Sequence, residues 1–185
     1  GRVRNLTAGE MMGQVLAVNR HMRSQGDGAS IHNIVLMGSG EPLDNYDNVI
    51  RFLHLVNAAD GLAISLRNVS LSTCGLVPRM IRLAEEKLPV TLSLSLHAPN
   101  DDIRRRIMPI ANVYTIDETI EACRAYVAKT GRRVIFEYAL IRNLNDSFGA
   151  ADELSARLRG LQWLRRLRRR ELIFERYEGN SRSDQ

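Results

Sequence analysis

Asn33-Ile34-Val35-Leu36-Met37-Gly38-Ser39-Gly40-Glu41-Pro42 is the stretch on which the reading of the whole chain turns. It starts as an unbroken apolar run with β-branched Ile34 and Val35, the pattern of a strand buried on both faces, and we place that strand at Ile31–Met37. The run breaks into Gly-Ser-Gly, then a carboxylate and a proline. Closely spaced glycines let backbone take positive φ and approach a ligand without side-chain interference. Pro42 biases Glu41 toward an extended conformation and so fixes the direction of its carboxylate. A buried strand ending in a stiff, acid-tipped loop reads as a binding edge. The same residues also read as a tight strand-to-helix turn with a solvated glutamate.

Working outward, Thr7 and Glu10 have capping-box spacing, and Met11, Val15, Val18 and Met22 recur at helical intervals, which predicts a helix over about Thr7–Ser24. Val49, Phe52, Leu53 and Val56 form the inner stripe of a second helix ending near Gly61. A strand over Asn68–Thr73 follows, then a helix over about Val77–Lys87 burying Met80, Ile81, Leu83 and Ala84, with Pro78 in its first turn. Val90–His97 alternates apolar and hydroxyl residues, a strand with one polar face. A helical turn begins at Asn100-Asp101 and stops at Pro109, and Thr115 caps a helix to about Lys129. Arg133–Ile141 is a strand and Asn145–Leu158 a last helix.

One helix followed by four strand–helix units implies an α/β fold with parallel strands and right-handed crossovers, either a barrel or a doubly wound sheet. In both architectures the strands' C-terminal ends form the working edge. Gly38–Glu41, Ser72–Gly75, Ser95–His97 and Arg142–Asn145 each follow one strand and fall on that edge. Together they offer a carboxylate, hydroxyls, an imidazole and free backbone groups, a set able to hold a ligand with an amine, a carboxylate and a sugar.

The totals bound this picture. The 185 residues suit one domain with a real core, at 44% apolar and 25% charged composition. A net charge of +5 is compatible with a polyanionic partner. Cys74 and Cys123 are the two cysteines, far apart and without metal-ligand spacing, which fits a reducing compartment and a cytoplasmic protein. No apolar run approaches a membrane span, and no signal-peptide pattern opens the chain. Gly1 in place of Met, running straight into a helix, reads as a piece of something longer.

Gly1–Glu10, Met37–Leu43, Leu71–Pro78 and Ser93–Asp101 together resemble the RlmN family of radical SAM RNA methyltransferases, over about residues 1–158. The resemblance implies a partial (β/α) TIM-like radical SAM barrel across residues 1–159. It implies S-adenosyl-L-methionine lying across the C-terminal strand edge, and methylation of C2 of an adenine in 23S rRNA and tRNA. In such enzymes a 4Fe–4S cluster fed by an electron donor such as flavodoxin generates a radical, which activates a methyl group carried on a C-terminal cysteine. Position by position, Gly40 and Glu41 match the pair that receives the amino end of the cofactor, Ser72 a further contact, and Ser95, Leu96 and His97 the segment lining the rest. Cfr, which methylates C8 of the same adenine, is the alternative within the family.

Three features depart from the family pattern. The family's C-x-x-x-C-x-x-C cluster loop is not in the sequence, and Cys74 and Cys123 read as small core residues rather than ligands. The methyl-carrying cysteine and a cofactor-contacting asparagine are missing beyond Arg159, where residues 160–185 form a basic segment off the family pattern. The N-terminal RNA-binding extension is also missing. The resemblance therefore implies an inactive fragment of an active enzyme. The arginines of 165–170, with Trp163, read either as an RNA-phosphate patch or as a solvated tail, and a non-catalytic RNA-binding domain is the competing reading from another class. An unrelated barrel enzyme gripping a phosphorylated substrate ranks last, because Glu41 would repel phosphate. His21, His32 and His54 read as surface residues.

Overall fold

Four short parallel strands carry the architecture in the computed structural model, which describes residues 3–26, 29–37, 39–159 and 161. They are β1 (Ile34–Leu36), β2 (Val69–Thr73), β3 (Thr91–Ser95) and β4 (Val134–Glu137), and they pair in the order β1-β2-β3-β4. Chain order equals spatial order. A doubly wound sheet reverses its strand order at a switch point, and this one does not, so the sheet is an arc of a barrel.

The strand register assigns the two faces. Val35 lies beside Ser70, Leu71 beside Leu92, Ser72 beside Ser93, and Ser95 beside Glu137. One face therefore carries Ile34, Leu36, Val69, Leu71, Leu92, Leu94, Val134 and Phe136. The other carries Val35, Met37, Ser70, Ser72, Ser93, Ser95, Ile135 and Glu137. The apolar face packs against helices α1 (Ala8–Ser24), α2 (Tyr46–Asn57), α3 (Val77–Glu85) and α5 (Ile116–Thr130) in one continuous core. Val49, Phe52, Leu53 and Val56 bring α2 into it, and Met80, Leu83 and Ala84 bring α3, as their spacing predicts. The remaining helices are α4 (Asp101–Ile107) and α6 (Phe148–Arg157).

Local chemistry sets the helix starts. Thr7 and Thr115 each accept from the amide three residues on, while Glu10 and Glu118 reach back to the capping amide. Asn100 caps α4 through Ile103 N at 3.0 Å, and Ser147 caps α6 through Ala150 N at 3.1 Å.

The structure corrects several expectations. β1 spans three residues and is not buried on both faces: Val35 is 59% and Met37 57% exposed. It is the edge strand of the described sheet, and the inward side of the arc is open beside it, while Ser72 and Ser93 further along the same face are buried. Val18 and Ile81 face solvent, because α1 and α3 each need only one stripe against the core. β4 ends at Glu137 and α6 starts at Phe148, since Asn145 is committed to the loop between them. There its Nδ2 donates to Ala139 O at 2.8 Å and its Oδ1 accepts from Ile141 N at 2.6 Å. The basic run at 165–170 and Trp163 lie outside the described residues.

Candidate functional site

The loops that leave the strands' C-terminal ends are stitched together by hydrogen bonds. After β1, Gly40 has φ +113° and open space where a Cβ would stand, so its backbone is approachable. Glu41 Oε1 accepts from Leu43 N at 3.0 Å, capping the 3₁₀ turn Pro42–Asn45. Its Oε2 accepts from Cys74 N at 2.7 Å, which joins the first loop to the second. Each oxygen keeps a further lone pair, and the charge remains to attract a cation.

The carbonyl of the same Cys74 accepts from Arg104 Nη2 at 2.7 Å, and Arg104 Nε donates to Leu96 O at 3.3 Å, joining the second loop to the third. Arg104 is wholly buried and its Nη1 has no partner among the described residues. Burial pulls its pKa down, while nearby Cys74 and Asp101 oppose that shift. Asn145 Nδ2 donates to His97 O at 2.7 Å and ties the third loop to the fourth.

His97 sits at φ +56°, an uncommon conformation for a residue with a Cβ. Its Nδ1 accepts from Ala139 N at 3.0 Å, so in the neutral ring the proton is on Nε2. Burial lowers its pKa, Arg104 lowers it further, and Glu137 opposes both. The ring is held neutral, as a hydrogen-bond donor.

The inner face below this rim is lined with hydroxyls. Ser70 and Ser93 lie 3.1 Å apart through their Oγ atoms, and Ser95 Oγ donates to Glu137 Oε2 at 3.1 Å. Ser72 is buried on the same face. The structure thus brings Gly40, Glu41, Ser72, Ser95, Leu96 and His97 to one end of one sheet. Two residues that the sequence reading passed over join them. Arg104 hid in a charge run, and Glu137 in a strand whose facing is set only by its register with Ser95. A cavity of about 270 Å³ between α1 and β1 reaches Gly40 and Glu41 but not Ser72, Ser95 or His97, so it takes in only the β1 end of the rim.

The chemistry of the donor set fits S-adenosylmethionine: carboxylates for a cationic amine and sulfonium, hydroxyls for a carboxylate or ribose, and open backbone at Gly40. It does not fit an iron–sulfur cluster. No group of three His, Cys, Asp or Glu among the described residues could hold a metal. Burial pushes the Cys74 thiol up to about 12, with Glu41 adding to the shift, and burial alone raises Cys123 to about 12. Both stay protonated, and Cys123 is fully buried as expected of a core residue, whereas Cys74 is only partly covered. His21, His32 and His54 are exposed.

The chain belongs to the radical SAM superfamily, whose family model matches residues 17–154. Curated relatives of the chain bear the name of RNA methyltransferases. It is 55% identical over 161 residues to the probable dual-specificity RNA methyltransferase RlmN of Clostridium tetani, covering 87% of this chain and 45% of the relative. The corresponding protein of Clostridium novyi is 54% identical over 154 residues, covering 83% and 43%. A crystal structure of a radical SAM methyltransferase from Sphaerobacter thermophilus superposes with a TM-score of 0.82 at 49% identity, over 86% of this chain and 46% of that one. The resemblance to RlmN and the barrel fold are both borne out. The chain spans a little under half the length of these relatives. No helix among the described residues is long and apolar enough to cross a membrane.

Proposed function

We propose that residues 1–159 are the cofactor-gripping part of a radical SAM enzyme that methylates C2 of adenine in 23S rRNA and tRNA. The observation that carries this is the stitched rim, where a carboxylate, two serines and a neutral imidazole share the open end of one sheet. In this reading Glu41 receives the ammonium of S-adenosylmethionine beside the open backbone of Gly40. Ser72 and Ser95 offer hydroxyls, while Leu96 and His97 line the remainder. Bound S-adenosylmethionine supplies the transferable methyl group and the precursor of radical chemistry. The chain's own contribution is to bind and orient it, and the hydrogen-bonded loops hold that geometry before the ligand arrives.

The cysteines of this chain do not suit the 4Fe–4S cluster that the superfamily uses, so its thiolates, and the cysteine that carries a methyl group, must come from outside residues 3–159. On this reading the isolated chain binds S-adenosylmethionine and does not methylate RNA. Titration calorimetry with S-adenosylhomocysteine tests it. Binding by the chain, weakened about tenfold or more in Glu41→Gln, supports the assignment, since hydrogen bonds to a charged group contribute about 1.5–3 kcal/mol. Binding indifferent to Glu41→Gln and Ser95→Ala rejects it. Methyl transfer to rRNA by the chain alone would overturn the proposed inactivity.

A further inference from the structure

Arg104 lies in α4 with its side chain wholly buried. Among the described residues it forms no ion pair, and its Nη1 has no partner. A guanidinium taken out of water without a counter-charge costs stability, and an apolar side chain would fill the space without that cost. Packing alone therefore does not account for an arginine here. What only a planar fork does is reach two loops at once. Nη2 holds Cys74 O at 2.7 Å, and Nε holds Leu96 O at 3.3 Å. Cys74 is pinned from its other side as well, since its N–H donates to Glu41 Oε2 at 2.7 Å. The loop has little slack between these bonds. Gly75 N donates to Thr73 Oγ1 at 3.1 Å, and a Cβ on Gly75 would press on Thr119 and on Arg104 itself. Leu96 in turn precedes His97, whose φ of +56° has to be held by its surroundings.

Building on the cofactor site proposed above, we infer that Arg104 is a positioning residue, which sets the Glu41 carboxylate and the His97 ring by clamping the carbonyls of Cys74 and Leu96. Two routes carry its action. The first is mechanical: Arg104 fixes Cys74, and the Cys74 amide fixes one oxygen of Glu41, so the carboxylate is ordered before a ligand arrives. The second is electrostatic. The guanidinium charge adds to burial in lowering the pKa of His97, while Glu137 opposes both. The groups that face the guanidinium are Cys74, Asp101 and Cys123, and each favours its charged form against burial.

Calorimetric titration of Arg104→Lys, Glu41→Gln and the double variant with S-adenosylhomocysteine tests the mechanical route. Lysine keeps the charge but replaces the fork by a single ammonium. Arg104→Lys is expected to weaken binding about 5- to 20-fold, but by less than about threefold in the Glu41→Gln background, where the carboxylate it orders is gone. Equal losses in both backgrounds would overturn the proposal, since a residue that only stabilises the fold acts independently of Glu41. NMR titration of the His97 ring reads the electrostatic route. The ring is expected to titrate higher in Arg104→Met than in Arg104→Lys, and coincident curves would refute that route. One measurement needs no variant to fold: in the unsubstituted chain the Arg104 Nε–H is expected to resist exchange with water before any ligand is added. Protection that forms only with S-adenosylhomocysteine would mean that the clamp is not set in advance. Unchanged affinity in folded Arg104→Lys, with Glu41→Gln still weakening, would reject the Arg104 assignment and leave the cofactor site standing. Failure of the unsubstituted chain to bind would remove both.

Discussion

Leu92 and Leu94 of β3 point toward the helices and are wholly buried, whereas Ser93, also buried, and Ser95, partly covered, point to the inner side of the arc and bond to Ser70 and Glu137. The same five-residue strand serves a packed core on one side and a polar groove on the other. The outer face holds the arc together by burial. The inner face, whose side chains could be apolar in a closed and packed barrel, instead carries hydroxyls and a carboxylate. The largest effect should therefore come from the outer face. Leu94→Ala removes a wholly buried side chain and is expected to cost about 2–5 kcal/mol in urea unfolding, against less than about 1.5 kcal/mol for Ser93→Ala. Equal losses would abolish the distinction between the faces.

The rim, where the two faces meet, sharpens the comparison through its glycines. Gly75 has φ +104°, and a Cβ there would stand 2.8 Å from Thr119 Cγ2 and 3.2 Å from Arg104 Nη2. Gly40 has φ +113° with nothing within 4 Å. Both alanine variants carry backbone strain, but only Gly75→Ala also forces α5 or the buried arginine to move. The expected cost is about 2–4 kcal/mol for Gly75→Ala and about 1–2 kcal/mol for Gly40→Ala, read as shifts in the urea midpoint. Gly40→Ala losing as much as Gly75→Ala would show that the first loop is packed rather than open.

On the inner face itself effects should be small. The Ser70–Ser93 contact crosses from β2 to β3, and a double-mutant cycle with alanines is expected to give a coupling of about 0.2–1 kcal/mol. A coupling above about 2 kcal/mol would mean that this pair is a main support of the sheet rather than an incidental contact.

The outer face was the legible one. Apolar spacing placed α2 and the core of α3, the Thr7-x-x-Glu10 spacing placed the first capping box and Thr115 marked the start of α5, because these signals are local. The strict hydroxyl alternation of Val90–His97 also announced a polar face. What escaped was set by partners distant in sequence. β1 looked doubly buried because its composition is apolar, yet whether Val35 is covered depends on what stands across the arc. Arg104 lies among two acids and two more arginines, a run that reads as a solvated surface, yet it alone points inward to bind the carbonyls of Cys74 and Leu96. Glu137 follows Val134-Ile135-Phe136, and no motif marks it. Only the pairing of Ser95 with Glu137 reveals that it belongs to the rim.

His97 provides the smallest expected effect and the one that depends on pH. Burial lowers its pKa from the ordinary value near 6.5, so the unfolded chain binds the proton more readily than the native one. The stability that comes from keeping the ring neutral is therefore complete above pH about 6.5 and is lost as pH falls from there through the native pKa. His97→Asn isolates this contribution. Asparagine keeps an acceptor for Ala139 N and tolerates the φ of +56°, but it has no proton to gain. The melting temperature of the unsubstituted chain should fall more steeply between pH 7 and pH 5.5 than that of His97→Asn, because the carboxylates of the capping boxes titrate lower and identically in both. Glu10, held down to about 2 by Arg4 and the Thr7 amide, is one of these. Parallel curves would mean that His97 is solvated in both states, and with that the fixed Nε2 donor at the centre of the rim would be lost.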